Sequence, residues 1–418
     1  MNVLLDVSLL GIGYYHPQAR TGVNRVVEQL LSGLARSPDV ALSLAAPTHL
    51  AETMRSVAET FGTHAPPFIN SAGAQRVARL ENTLLNPFGV RSLPTKVIRQ
   101  LTYRTRRFLN RELARFNVSQ LPAQAVYHAP FFPVPDALRK SGRVQTLQTI
   151  HDLIPVVHPE WFPAGEQTVR QVLASLPPDA WVTTVSQATK DDFCQYTGHD
   201  PARVVPIRLA ASRELFHPVS DTDRQRSVRQ RLGLSDGPYL LSLATLEPRK
   251  NTAHLIRCFA RLVHSGELPA DVRLVLVGTK GWKFDDVLAE AGRSEALGKR
   301  LIFTGYVADA DLAPLYAGAL AFVYPSLYEG FGLPPLEAMQ CGLPVITSNG
   351  SSLPEVVGDA ALLVPPTDAD ALCQAMLRVV RSPALRADLS ARALDRAGLF
   401  SWDKFTAEHV SLYKQILG

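Results

Sequence analysis

ALAFVYPSLYEGFGLPPLEAMQCG, residues Ala319 to Gly342, decides the fold. An apolar run with no polar alternation reads as a strand buried on both faces, as in a parallel sheet. It breaks at a Gly-rich turn, and a helical stretch follows at once. Gly330 and Gly332 let backbone approach a ligand closely, while Pro334 and Pro335 suit an extended approach and the first helical turn. A helix starting there presents free N–H groups and a partial positive charge, a ready seat for a diphosphate.

The same alternation extends outward in both directions. YLLSLAT, VRLVLVG, RLIFTG, LPVITS and AALLVPP are further strand candidates of the C-terminal half. NVLLDVS, VALSLAA, AVYHA, VQTLQTIHD and AWVTTVS are those of the N-terminal half, with RVVEQLLSGLA as the first long helix. Strands alternating with helices predict an α/β protein with doubly wound parallel sheets. At 418 residues the chain is too long for one ordinary core. The expected division is 1–216, 217–399 and a terminal helix at 400–418, with an Arg-rich helix, DRQRSVRQRLG, opening the second domain. Ser401 caps the terminal helix, whose apolar positions include Phe405, Val410, Leu412, Tyr413 and Ile416.

Composition narrows the class. Apolar residues make up 46% of the chain and charged residues 19%, so it buries cores and is not disordered. The four cysteines, Cys194, Cys258, Cys341 and Cys373, have neither C-x-x-C nor zinc spacing, which predicts free thiols, a cytoplasmic location and no metal. MNVLLDVSLLGIG reads as a first buried strand rather than a signal peptide, and no apolar run approaches the roughly 20 residues of a spanning helix. The net charge of +5 is modest, and no nucleic-acid partner is expected.

That charge gathers in KVIRQLTYRTRRFLNRELARF, Lys96 to Phe116, where Lys96, Arg99, Arg104, Arg106, Arg107, Arg111 and Arg115 meet a single Glu112. Two readings stand equal: a solvated face of a packed helix, or a peripheral contact with an anionic membrane through the interleaved Val97, Leu101, Phe108 and Leu109.

Four clusters carry the chemistry. Glu329 on the turn and Glu337 inside the helix approach one ligand from different directions, each suited to accept hydrogen bonds from sugar hydroxyls; two surface glutamates would look the same. SLATLEPRKN ends a buried strand with Arg249 and Lys250 at the lip of the sheet, where ligands of open α/β sheets bind. Two cations there neutralise a leaving diphosphate without a metal; the plainer alternative is an exposed turn with Glu247 pairing Arg249. His151 and Asp152 end the strand VQTLQTIHD before an irregular Pro-containing loop, which favours function over structure. Gly22 stands near the start of the first long helix, after a flexible GIGYYHPQA loop. His16 occupies the third-glycine position of G-x-G-x-x-G, against a dinucleotide fold.

These stretches, in this order, resemble glycosyltransferase family 4, the retaining GT-B enzymes. The resemblance is most specific from Tyr239 to Pro366, and TIHDLIPVVHPEWF and TVSQATKDDF look like the mannosyltransferase B-like subgroup of bacterial polysaccharide synthesis. It implies two Rossmann-like domains facing across a cleft, the first on the acceptor side and the second binding the nucleotide sugar, with the last helix returning to the first. It implies Glu329 on hydroxyls of the donor sugar, Glu337 on the ribose, and Arg249 and Lys250 on the diphosphate. Amides around Gly330, Phe331, Gly332 and Leu333 would assist, Gly22 would close over the phosphates, His151 and Asp152 would sit beside the sugar, and Tyr306 and Val307 would line the base pocket. Where some relatives carry a further arginine, this chain has Ala244 and Thr245.

The expected activity is therefore metal-independent, cofactor-free transfer of a hexose from a nucleotide diphosphate to a glycan or lipid-linked glycan, at the inner face of the plasma membrane. GDP-mannose is the favoured donor. GDP-fucose, a UDP-sugar or dTDP-rhamnose, an inactive GT-B binding subunit, and a GT-B phosphorylase or epimerase are the alternatives. The loop from Ala65 to Thr95 matches no pattern and is assigned to the acceptor side.

Overall fold

The computed structural model describes every residue except 16–21, 89–91, 110–115, 119–120, 163–166, 235–236, 282–283 and 294. His16, together with Arg111, Glu112 and Arg115 of the basic stretch, therefore lies outside the described residues.

Two six-stranded sheets form the frame, one ordered β2-β1-β3-β4-β5-β6 and the other β12-β11-β10-β7-β8-β9. The first contains β1 (Asn2–Asp6), β2 (Ala41–Ala45), β3 (Ala125–Ala129), β4 (Val144–Ile150), β5 (Trp181–Thr184) and β6 (Val204–Pro206). The second contains β7 (Tyr239–Leu243), β8 (Arg273–Val277), β9 (Leu301–Gly305), β10 (Ala321–Tyr324), β11 (Val345–Ser348) and β12 (Ala361–Val364). Every pairing is parallel. The chain reverses its direction of growth between β1 and β3 in one sheet and between β7 and β10 in the other. A crevice opens at such a switch point.

The helices that bear on the site are α1 (Ser8–Tyr15), α2 (Gly22–Arg36), α3 (Leu50–Phe61), α4 (Ala72–Leu85), α5 (Leu93–Leu109), α6 (Gln187–Thr197), α7 (Asp309–Ala317), α8 (Leu333–Gln340) and α9 (Trp402–Leu417). The described part of GIGYYHPQA is not a loop: Gly11 to Tyr15 belong to α1. A Cβ on Gly11 would run into Thr53 Oγ1 and the His49 carbonyl, so this glycine permits close packing of α1 on α3. Strand β6, absent from the sequence reading, extends the first sheet beside β5.

The second sheet's last helices return the chain to the first. Ser401 caps α9 by accepting from the Lys404 N–H, and α9 packs on α2 and β3. Tyr413 meets His128 Nδ1 at 2.7 Å, and Gly33 gives Thr406 room that a Cβ would fill. Val27 and Leu30 of α2, Leu336 of α8 and Leu412 of α9 share one apolar cluster. Full burial of each leucine contributes about 2 kcal/mol, so α9 joins the lobes as part of a core. Among the described residues no helix is long and apolar enough to cross a membrane.

Candidate active site

The turn after β7 carries Arg249 and Lys250 on a single helical turn, Pro248–Lys250, closed by Asn251 in the left-handed region at φ 58°. Asn251 Nδ2 donates to the Pro325 and Pro366 carbonyls, and the Leu327 N–H donates to the Arg249 carbonyl. The turns after β7 and β10 are thereby tied together across the switch point.

Glu329 lies at their centre. Its Oε1 accepts from Lys250 Nζ at 2.6 Å and from the Tyr324 and Ser326 hydroxyls at 2.7 Å; its Oε2 accepts from Arg249 Nη1 at 2.6 Å. Arg249 Nη2 donates to Glu247 Oε1 at 2.8 Å. Burial pushes the Glu329 carboxyl up, but the charges of Arg249 and Lys250 outweigh it and hold the group at about 2. The pairing of Glu247 with Arg249 does occur, yet Glu247 is buried, so this is no exposed turn. The site is a closed set of two cations and two carboxylates.

The first lobe meets this cluster through the end of β4. A Cβ on Gly330 would collide with the His151 carbonyl and Asp152 Cβ, and the Gly330 carbonyl accepts from Ser186 Oγ and Thr189 Oγ1 at the start of α6. His151 Nε2 lies 2.8 Å from the Pro130 carbonyl. Burial pushes this imidazole down to about 4, so it is neutral near pH 7. A carbonyl only accepts, which places the proton on Nε2 and leaves Nδ1 as an acceptor. Asp152 accepts from the Ile154 N–H, and burial pushes its carboxyl up against the nearby charge of Arg249.

Two helix starts face each other beside the cluster. Gly22 opens α2, and its Cβ position lies 3.0 Å from Leu333 Cδ1, the first residue of α8. Gly332 precedes α8 at φ 123°, where a side chain would be strained, and no side chain caps the helix. Pro334 and Pro335 have no N–H, so the donors at this start come from Gly332 and Leu333. Phe331 is buried beneath the turn.

One turn further along α8, Glu337 Oε1 accepts from Arg25 Nη1 at 3.0 Å, and Arg25 Nη2 reaches Asp309 Oδ2 at 3.1 Å. Burial pushes the Glu337 carboxyl up to about 7 against the pull of Arg25. Sequence reading missed Arg25. The available signal was its place three residues after Gly22, on the same face of the helix start. Tyr306 is exposed after β9, whereas Val307 is buried in the apolar core.

Two parallel α/β sheets, with cations and carboxylates at the switch point of the second, make a two-domain α/β protein with a charged crevice where a ligand binds. The model of the family described as "Glycosyl transferases group 1" matches residues 224–396. The O-antigen chain mannosyltransferase B of Escherichia coli is 37% identical over 298 residues, 69% of this chain and 74% of that protein. The serotype-specific mannosyltransferase WbdA of Escherichia coli is 34% identical over 62% of this chain, which spans only 32% of that longer protein. Anabaena HepE, solved with UDP and glucose, superposes with a TM-score of 0.65 at 17% identity, over 99% of this chain and all of that one. The chain belongs to the group 1 glycosyl transferases, glycosyltransferase family 4, on its mannosyltransferase-like side.

Proposed function

We propose that this protein is a retaining, metal-independent mannosyltransferase, moving mannose from GDP-mannose to a hydroxyl of a glycan or lipid-linked glycan in bacterial surface polysaccharide synthesis. The reading rests on the Arg249–Lys250–Glu329 cluster lying where β10 gives way to α8, opposite His151. The names of the mannosyltransferase relatives supply the sugar and the pathway class.

Arg249, Lys250 and the amides of Gly332 and Leu333 take the diphosphate, with the start of α2 at Gly22 closing over it. Glu329 Oε1 already receives three donors, so Oε2 takes the donor-sugar hydroxyl. His151 Nδ1 accepts from a second hydroxyl, with Asp152 alongside. Glu337 takes the ribose diol through Oε2, and the turn at Tyr306 and Val307 borders the base. The acceptor oxygen attacks the anomeric carbon on the face that the phosphate leaves. The C–O bond to phosphate breaks, its electron pair goes to the departing diphosphate, and a phosphate oxygen takes the acceptor proton. The two cations stabilise that developing charge, as preorganised groups do best in a site without water. A lipid-linked acceptor would place the enzyme at the inner face of the plasma membrane, with the segment Lys96 to Phe116 as its contact.

Incubation with GDP-mannose and a mannosylated acceptor, in chelator, is expected to release GDP and yield an α-linked product by NMR. Consumption of GDP-fucose, a UDP-sugar or dTDP-rhamnose in its place would overturn the donor. An inverted product, or absolute dependence on a divalent cation, would overturn the mechanism.

A further inference from the structure

Over Leu93 to Thr102, helix α5 is packed the wrong way round for a solvated helix. Its polar side faces the protein: Thr95 is buried, and Arg99 donates to the buried Glu52 of α3 at 2.8 Å. Its apolar row, Leu93, Val97 and Leu101, spaced four residues apart on one face, points to solvent, with Leu93 76% and Leu101 69% exposed. A surface helix ordinarily does the reverse. The neighbouring α4 buries Ala78 and Leu85 yet also exposes Leu80 and Leu84, and Phe88 follows it, exposed as well. The charges on this surface have one sign: Arg76, Arg79 and Lys96 are exposed, while the one acidic residue between 71 and 102, Glu81, is buried.

We propose that the outer face of α4 and α5 is a membrane-docking surface, its leucines seated at the boundary of headgroups and acyl chains and its cations on anionic lipid phosphates. The charge pattern selects this occupant. A two-fold contact with a second copy sets the same patch against itself, bringing the cations Arg76, Arg79 and Lys96 of one copy against those of the other with no exposed acid of α4 or of Leu93 to Thr102 to pair them. An anionic bilayer takes up the apolar row and the cations together. The surface extends beyond the basic segment to α4, and it fixes which side of α5 meets lipid. It deepens the reading of a lipid-linked acceptor and rests on that reading for its purpose, though not for its geometry.

The test is flotation of the full-length protein with vesicles of phosphatidylcholine alone and of phosphatidylcholine mixed with phosphatidylglycerol. Binding is expected to the mixed vesicles and to be weak on the neutral ones. The triple variant Arg76→Gln, Arg79→Gln, Lys96→Gln should lose about 5-fold in partitioning for each cation removed. Leu93→Ser, Val97→Ser, Leu101→Ser should abolish flotation by removing the seated row. Both variants should keep wild-type turnover of donor with a water-soluble acceptor. Absence of flotation on the mixed vesicles overturns the proposal, as do equal binding to both kinds and a leucine-dependent dimer that does not float. Flotation as expected without any transfer of sugar would instead sink the functional reading and leave this surface standing.

Discussion

Arg25 of the first lobe and Glu337 of the second form a 3.0 Å ion pair across the cleft, and among the described residues Arg25 is the hydrogen-bonding partner of that carboxylate. The pair occupies Oε1 and leaves Oε2 open to the diol proposed for it, and the charge of Arg25 pulls against the burial that raises this carboxyl. The Glu337 carboxyl sits at about 7, above its ordinary 4.5, so it loses charge as pH falls through 7. Donor KM should therefore rise below pH 7. Arg25→Met should raise it about 10-fold at neutral pH, the loss of one charge-assisted hydrogen bond, and shift the pH midpoint upward. Initial rates at varied donor concentration from pH 6 to 9 decide this; an unchanged profile would remove Arg25 from the site.

Lys250 carries a second prediction. It lies 2.6 Å from Glu329 and faces the position assigned to the diphosphate. Lys250→Met should lower kcat by about 10²–10³-fold, the usual effect of removing one preorganised charge stabiliser. It also strips a partner from a buried carboxylate, which costs about 3–5 kcal/mol of stability. Paired kinetics and thermal melts separate the two effects. A variant with both Lys250→Met and Glu329→Gln should recover stability without recovering activity.

Long-range pairing and tertiary packing divide what the sequence displayed from what it hid. The strands from Tyr239 to Val364 announced themselves because parallel strands are apolar on both faces, and Glu329, Lys250 and His151 were legible because they lie on the turns that follow such strands. Strand β6 escaped because Val204–Pro206 is too short for a period and ends in proline. Gly11 and Gly13 looked like a loop because glycine weakens isolated helices, yet the contact with α3 overrides that cost. Arg25 had no local sign of its role, since Glu337 stands 312 residues away. The sequence marks Glu329 as an acceptor for sugar hydroxyls; only the fold brings it onto both cations.

The buried imidazoles at the α9 junction give a third test. His409 is held at about 4 by burial, and His128, stacked on it with ring centroids 5.4 Å apart, lies well below its ordinary value. Each is neutral when folded and protonated when unfolded below about pH 6.5, so stabilisation from both falls away below pH 6.5, that of His409 being lost as pH approaches 4. Asp6, raised to about 6 by burial, and Glu337 titrate in the opposite sense, so the comparison has to be with a variant. The stability difference between wild type and His409→Gln should shrink by about 3 kcal/mol between pH 7 and pH 4. Urea titrations at both pH values measure it, and a constant difference would contradict burial of the neutral form.

Gly330 sets how closely the lobes approach. A Cβ there would meet the His151 carbonyl and Asp152 Cβ, and neither backbone nor strand end can move aside without separating β4 from the turn after β10. The φ of Gly330 is not in the left-handed region, so an alanine is tolerated by its own backbone and the effect isolates the contact between lobes. Misplacement by about 1 Å at a reacting centre costs about 10²-fold, and Gly330→Ala should lower kcat by that order while leaving the melting temperature of each lobe's core nearly unchanged. Small-angle scattering should show a larger radius of gyration than wild type in the presence of GDP. A variant that transfers sugar at the wild-type rate would mean that closure to this contact is not part of the reaction.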